Sequence, residues 1–296
     1  MMGVAVDVSH SGMQVRTGDG VELAVQVAGE GPPVVLANGI GVRHPGWARY
    51  IAHLQRRHRV ICWDYRGIGG SGTDARRVGF AMSRHGWDAL EILDALGEDR
   101  AAVVGWSMGV PVALEMIRAA PRRITHFAAL FGAPGRPFRA GFPLPLGLAA
   151  EGVAAFSSRV TGPAQAVMDL AAGLPKLTHA ALAALRFTSW DVDRDLFAAD
   201  VASVAGAPKD AYFRTMQALA SHDASDLLPR ISCPTLVVGG GRDWLTPPAA
   251  SRRMAAAIPG ARLLLLPRAS HFGLIEEPEV VLDALDVLLA QSPPGE

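Results

Sequence analysis

What this chain has little of narrows its function first. It carries only two cysteines, Cys62 and Cys233, in 296 residues. That excludes a secreted disulfide scaffold, and since both sit in apolar, strand-like contexts, buried free thiols are expected. It has no excess of either charge, because lysine plus arginine and aspartate plus glutamate both number 28. Binding to nucleic acid or to an anionic membrane would call for a basic imbalance that is missing. Long apolar runs are lacking as well, and stretches such as Leu263–Leu266 are far too short to span a bilayer. The start, MMGVAVDVSHSGMQV, has no basic segment leading into a long apolar one, so no signal peptide is expected and the cytoplasm is the default compartment. No internal repeat, no coiled-coil heptad and no metal-ligand spacing of histidine, cysteine or carboxylate is visible.

What is there is alternation. Strands are expected at Val21–Val27, Pro33–Ala37, Arg59–Trp63, Ala101–Gly105, Thr125–Phe131, Pro234–Val238 and Arg262–Leu266. Helices are expected between them, at Trp47–Arg57, Gly86–Leu96, Met108–Ala119, Ala249–Ala257 and Pro278–Leu289. Pro121 stops the third of these. The short, wholly apolar run Ala101–Gly105 is that of a strand buried on both faces. Such alternation predicts an α/β fold, a mostly parallel sheet with helices on both faces. Residues 134–225 break the pattern, being rich in Gly, Pro and Ala, with helical stretches and no clear strand. They are expected to form a helical cap inserted into a core of residues 1–133 and 226–296, lying over the carboxyl edge of the sheet where ligands bind.

The chemistry centres on Gly105-Trp106-Ser107-Met108-Gly109, a G-x-S-x-G between a strand and a helix. A serine in that setting projects from a sharp, strained turn, and bulk at either glycine would clash with the neighbouring elements. The Met108 N–H then falls at a helix N-terminus, suited to an oxyanion. A serine hydroxyl needs a base to take its proton. Of nine histidines, His271 stands just after the last strand, at the sheet edge that Ser107 reaches. His126 lies within a strand, and His53 and His58 at the polar end of a helix. His10 is in the N-terminal tail, and His44 follows the Gly39–Gly41 loop within possible reach of substrate. His85, His179 and His222 read as ordinary surface or cap residues, although His222 beside Asp223 is a rival base. The acid that orients the imidazole is expected at Asp243, in a glycine turn directly after Pro234–Val238. The order Ser107, Asp243, His271 is the one this kind of sheet requires.

Asn38-Gly39-Ile40-Gly41 follows another strand, and the Ile40 N–H is the second candidate oxyanion donor. Gly67-Ile68-Gly69-Gly70-Ser71-Gly72 formally matches a dinucleotide fingerprint. It leads into a loop rather than a helix, with no strand ending in an acid at the right distance, so no nucleotide cofactor is expected.

Together, Asn38–Gly41, Asp64–Ser71, Gly105–Gly109, Gly241-Arg242-Asp243 with Thr246-Pro247, and Ser270-His271-Phe272 with Glu277-Pro278 resemble the α/β-hydrolase superfamily over essentially the whole chain. The resemblance implies an eight-stranded, mostly parallel sheet, a helical cap after the sixth strand, no cofactor, and architectural roles for Asp64 and Arg66. Asn38 departs from the family's usual histidine, which bears on how the oxyanion loop is braced. The serine excludes the aspartate-nucleophile dehalogenases and epoxide hydrolases of similar fold. Three readings follow. The first is cleavage of a small to medium, fairly apolar carboxylic ester, thioester or lactone through an acyl-enzyme on Ser107. The second is carbon–carbon hydrolysis or acyl transfer by the same triad. The third is a non-catalytic receptor for a small ligand. The expected partner is a small acyl compound; oligomeric state is not legible. Trp106 and Trp190 are candidate pocket residues, while Phe138, Phe142 and Phe156 line either the pocket or the cap's own core.

Overall fold

The structure is a computed structural model that describes residues 11–43, 45–73, 79–136, 161–185 and 187–293. Eight strands form one sheet: β1 (Ser11–Arg16), β2 (Glu22–Ala28), β3 (Pro33–Ala37), β4 (Arg59–Trp63), β5 (Ala101–Trp106), β6 (Ile124–Leu130), β7 (Thr235–Gly240) and β8 (Arg262–Leu266), in the order β1-β2-β4-β3-β5-β6-β7-β8. β1 and β2 are antiparallel to their neighbours and every other pairing is parallel. Seven strands match the alternation read from the sequence. β1 does not, because an edge strand that buries only Val15 while leaving Met13 exposed carries too weak a pattern.

The helices are α1 (Ala48–Leu54), α2 (Met82–Ala95), α3 (Gly109–Ala119), α4 (Thr161–Gly173), α5 (Pro175–Ala184), α6 (Arg194–Gly206), α7 (Lys209–Ser221), α8 (Pro248–Ala257), α9 (Gly273–Glu276) and α10 (Pro278–Leu289). Strand side chains alternate between two cores. Val35, Ile61, Val103, Phe127 and Val237 pack against α2, α3 and α8 through Leu93, Val112 and Met254. Leu36, Cys62, Val104, Leu130 and Val238 pack on the other face against α1 and α10 through Ile51 and Leu285. α2 begins four residues before the glycine at which sequence reading starts it. Gly86 lies where α2 and α3 approach closely: a Cβ there would stand 3.0 Å from the Glu115 Cβ. Both cysteines are free and buried. His85, expected near the surface, is instead wholly buried against the Tyr65 ring at 4.7 Å, and burial, helped by Arg66 and Arg84, drives its pKa down to about 3.

Register places the site. Ala37 of β3 pairs with Gly105 of β5, Trp106 with Leu130 of β6, Leu130 with Val238 of β7, and Gly240 of β7 with Leu266 of β8. The loops after β3, β5, β7 and β8 therefore emerge along one edge. The chain turns outward from β3 to β4 and returns to β5 on the other side of β3, so the loops after β3 and β5 part there and leave a crevice. Four of the described helices, α4 to α7, lie between β6 and β7 in the chain. Among the described residues no helix is long and apolar enough to cross a membrane. The Asp64–Gly72 turn is architectural. Arg66 is buried and bonds both oxygens of Asp88 at 2.6 Å and those of Asp19 at 2.7 and 2.9 Å, while Asp64 accepts from the Gly70 N–H at 2.8 Å.

Candidate active site

Ser107 has φ +53, a left-handed conformation for a non-glycine residue. The surroundings impose it. A Cβ on Gly105 would collide with the Gly109 carbonyl, and one on Gly109 with the carbonyl of Ala37 on the neighbouring strand. A third glycine, Gly132, is needed as well, since a Cβ there would come within 2.7 Å of the Ser107 carbonyl oxygen. The turn is closed by the Ser107 N–H on the Leu130 carbonyl at 3.0 Å and the Val110 N–H on the Ser107 carbonyl at 3.1 Å. The side chain is thus aimed into the crevice at a strand-to-helix bend.

The loops after β7 and β8 are tied together. Gly241 N–H donates to the Leu266 carbonyl at 2.8 Å and Arg242 N–H to that of Ala269 at 2.9 Å. A Cβ on Gly240 would stand 2.5 Å from the Ala269 carbonyl oxygen, so the two loops meet only because that position is bare. They bring Asp243 and His271 to Ser107. His271 Nε2 lies 2.8 Å from Ser107 Oγ, and His271 Nδ1 lies 2.9 Å from Asp243 Oδ2. A carboxylate only accepts, so Nδ1 carries the hydrogen and Nε2 is left with a lone pair for the serine hydroxyl. Asp243 is itself held on every side. Its Oδ1 accepts from the N–H groups of Leu245 and Thr246 at 2.9 Å each, and its Oδ2 also accepts from Thr246 Oγ1 at 2.6 Å. The Trp106 indole N–H reaches the His271 carbonyl at 3.3 Å, which fixes the histidine backbone from the end of β5.

Among the described residues the N–H groups of Ile40 and Met108 are donated to no other protein group. Gly39 brings the loop against the serine, since a Cβ on it would lie 3.7 Å from the Ser107 Cβ. Asn38 braces this loop by donating from Nδ2 to the Trp63 carbonyl at 3.1 Å, and its own carbonyl accepts from the Tyr65 hydroxyl at 2.9 Å. From above, Ser203 Oγ donates to the Gly41 carbonyl at 3.0 Å. Gly41 has φ +68 and lies under the Tyr212 ring, where a Cβ would approach to 2.8 Å.

Ser107 and His271 open into a cavity of about 440 Å³ between the sheet edge and helices α4 to α7. Its walls are chiefly apolar, with Ile40, Trp106, Phe187, Phe197, Val201, Met216 and Phe272 among them. Of the two tryptophans expected here, Trp106 lines the cavity and Trp190 does not. Trp190 is 55% exposed, its ring resting edge-on against His179, so it is withdrawn as a pocket residue. The chain turns Phe187 inward three residues earlier, and that ring meets Trp244, Phe272 and His271 at 5.5, 5.6 and 6.4 Å. His44, Phe138, Phe142 and Phe156 lie outside the described residues. The rival His222 sits by Glu115 at 3.6 Å, on no wall of this cavity.

Several residues at the site escape sequence reading. Thr246 is named above only as part of a motif; its hold on Asp243, three residues earlier, follows a local capping spacing that the sequence contains. Glu276 joins the His271 loop to the helical insertion. It accepts from the Ser270 N–H at 2.7 Å, Ser270 Oγ at 2.6 Å, the Ser189 N–H at 2.7 Å and Thr188 Oγ1 at 3.2 Å. Asp200 of α6 is the third. It is 1% exposed, it is among the residues of the cavity wall, and among the described residues no side chain pairs with either carboxylate oxygen. Burial pushes its pKa up to about 7, only partly offset by the Gly46 backbone. Its signal in the sequence is a lone acid within the apolar run Phe-Ala-Ala-Asp-Val-Ala.

Known proteins resemble the chain along most of its length. The model of the alpha/beta hydrolase fold family matches residues 32–278. The "Putative carbamate hydrolase RutD" of Caulobacter sp. (strain K31) is 31% identical, over 90% of this chain and 94% of that protein. The 3-oxoadipate enol-lactonase 1 of Acinetobacter baylyi is 29% identical, over 91% of this chain and 93% of its own. The crystal structure of the enol-lactonase from Burkholderia xenovorans LB400 superimposes with a TM-score of 0.77 at 26% identity, covering 94% of this chain and all of that one.

Proposed function

This chain belongs to the α/β-hydrolase family and is a hydrolase, and from that premise we propose that it is a serine hydrolase that cleaves a small to medium, fairly apolar carboxylic ester, thioester or lactone through an acyl-enzyme on Ser107. The observation that carries this reading is the unbroken relay Ser107 Oγ, His271 Nε2, His271 Nδ1, Asp243 Oδ2, at 2.8 and 2.9 Å. Ser107 Oγ attacks the acyl carbonyl as His271 Nε2 takes its proton. The new imidazolium donates through Nδ1 to Asp243, whose other hydrogen bonds keep it in place. Negative charge gathers on the former carbonyl oxygen, and the unpaired N–H groups of Ile40 and Met108 receive it. Collapse expels the alcohol or thiol, protonated by His271. Water then enters, gives its proton to the same nitrogen and attacks the acyl-enzyme, and His271 passes that proton to Ser107 Oγ as the acyl–oxygen bond breaks and the acid leaves. These steps use only the chain's own groups and water.

The cavity supports the substrate class. About 440 Å³ suits a medium-sized compound, and its largely apolar walls suit hydrocarbon on either side of the scissile group. Carbamates and enol-lactones, the substrates in the relatives' names, both present a carbonyl bonded to a heteroatom, which is what the relay can attack. Residues 134–225 serve in this reading as the cap that roofs the cavity.

The test is a panel of fluorogenic esters of graded acyl length, run on the wild type and Ser107→Ala, with fluorophosphonate labelling alongside. At least one ester is turned over, Ser107 alone is labelled, and the alanine variant loses about 10⁶ in kcat. Turnover that survives Ser107→Ala, or failure of every ester and of labelling, overturns the proposal.

A further inference from the structure

We propose that Tyr212 is a specificity-determining residue whose hydroxyl donates a hydrogen bond to a neutral oxygen that the substrate carries a few atoms from its scissile carbonyl. The inference deepens the serine-hydrolase reading and rests on it.

The chain has three tyrosines, and all of them are buried. A buried tyrosine hydroxyl ordinarily finds a partner, because leaving it without one forfeits its hydration. Two follow that rule: Tyr50 donates to the Leu274 carbonyl and Tyr65 to that of Asn38, each at 2.9 Å. Tyr212 does not, since among the described residues no group is bonded to its hydroxyl. Burial, with no hydrogen bond to offset it, pushes its pKa up to about 12, so the phenol keeps its hydrogen at any working pH. Burial that strong places the oxygen inside the molecule rather than at its outer surface. Nor is the oxygen sealed off. The unpaired polar atoms that are closed to water include the Trp47 and Trp63 indole nitrogens and the Ser251 hydroxyl, and the Tyr212 hydroxyl does not stand among them. A deep oxygen that still reaches water-sized space faces a cavity, and the cavity that Tyr212 lines is the one holding Ser107 and His271.

The ring is fixed at a telling place. It lies edge-on to Phe213 at 5.4 Å, and a Cβ on Gly41 would stand 2.8 Å from its Cε2 and 2.9 Å from its Cδ2. Cε2 is two bonds from the hydroxyl oxygen, and Gly41 directly follows Ile40, whose N–H is the proposed oxyanion donor. The hydroxyl therefore belongs to the end of the cavity at which the acyl carbonyl would be held. Ile40, Val42 and Val204 of the same wall bring no side-chain acceptor. In such an apolar enclosure a lone donor selects: a substrate oxygen satisfies it, and a methylene in the same place leaves its bond unmade. The oxygen it suits is neutral rather than a carboxylate. Among the described lining residues there is no lysine or arginine to balance an anion, and Asp200 is an acid in the same wall. Keto, ether and hydroxyl oxygens all accept, so the substrate is an ester, thioester or lactone that bears one such oxygen near the scissile group, rather than a plain hydrocarbon ester.

The experiment uses two ester series, one varying the acyl half and one the alcohol half, in which a keto group replaces one methylene at successive positions along the chain. A ketone only accepts, so it reads donation from the phenol alone. The readout is the keto-to-methylene ratio of kcat/KM in the wild type and in Tyr212→Phe, which removes one oxygen and keeps the ring. The intrinsic reactivity of each ester cancels between the two proteins. At one position or more the ratio falls at least fivefold in the variant. Its melting temperature falls by no more than about 2 °C, because a hydroxyl with no partner in the chain holds nothing together. A change in ratio below fivefold at every position of both series overturns the inference and leaves the serine-hydrolase reading intact. That outcome includes an equal fall in kcat on every ester, which would make the hydroxyl a third oxyanion donor. A larger drop in melting temperature, or failure to fold, also overturns the inference, since it would show the hydroxyl bonded within the protein. Absence of turnover of every ester by the wild type overturns both.

Discussion

Two buried aspartates, Asp243 behind His271 and Asp200 in the cavity wall, are held in opposite ways. Asp243, on the sheet side, is 3% exposed and accepts four hydrogen bonds, from two backbone N–H groups, a threonine and a histidine. Asp200, on the helical side, is 1% exposed, and among the described residues no side chain pairs with it and only the Gly46 backbone partly offsets its burial. A protein that can surround one carboxyl so completely has not failed to pair the other for want of donors in its repertoire. In the proposed mechanism Asp243 must hold an imidazole through every turnover, and the fold supplies all its partners. Asp200 stands outside that relay, and its burial is left largely uncompensated.

The comparison can be broken at its firmest point first. Asp243→Asn keeps the shape of the side chain but presents an amide to His271 Nδ1, so the imidazole is held in the wrong tautomer. A loss of about 10⁴ in kcat is expected, measured on whichever ester the wild type turns over. A loss below tenfold would mean that the four hydrogen bonds hold a loop rather than a base.

The second measurement concerns the other acid and uses stability. The folded pKa of Asp200 is raised from 3.8 to about 7, so its proton favours the folded state. The resulting stability is full below the unfolded value and is lost as pH rises through 7. Asp200→Asn cannot lose it. The stability of the asparagine variant relative to the wild type should therefore grow by about 2–3 kcal/mol between pH 5 and pH 8, read from denaturant titrations at the two pH values. A difference independent of pH would show that Asp200 already has a partner in solution. The smallest effect is expected at Thr246. Thr246→Val removes one of the two hydrogen bonds on the oxygen that faces His271, and about a tenfold fall in kcat/KM should follow. If Thr246→Val matches Asp243→Asn, the hydroxyl and not the carboxylate orients the ring.

The two sides also differ in how far they can be read without a structure. The proposed triad is legible because each member stands in a short motif at the end of a regular strand: Gly105–Gly109, Gly241–Asp243 and Ser270–Phe272. A sheet puts all such ends on one edge, so chain position translates directly into space. The helical side has no such rule. Trp190 and Phe187 are three residues apart in the same turn region, and nothing in their local sequence says that the phenylalanine turns inward while the tryptophan faces solvent. His85 was misread for a similar reason. Its burial comes from Tyr65 and from the close approach that Gly86 permits with α3, both distant in sequence.

By itself, the order of residues determined the fold class, seven of the eight strands, and the three side chains of the relay. Local patterning reports which residues must face a core and which glycines a bend must have. Only the tertiary structure decided that Thr246 and Glu276 brace those side chains, that Phe187 replaces Trp190 in the cavity wall, and that Asp200 is shut into that wall with no side-chain partner among the described residues. Those facts depend on the packing of helices α4 to α7 over the sheet edge, a contact between segments far apart in the chain that no window of sequence contains.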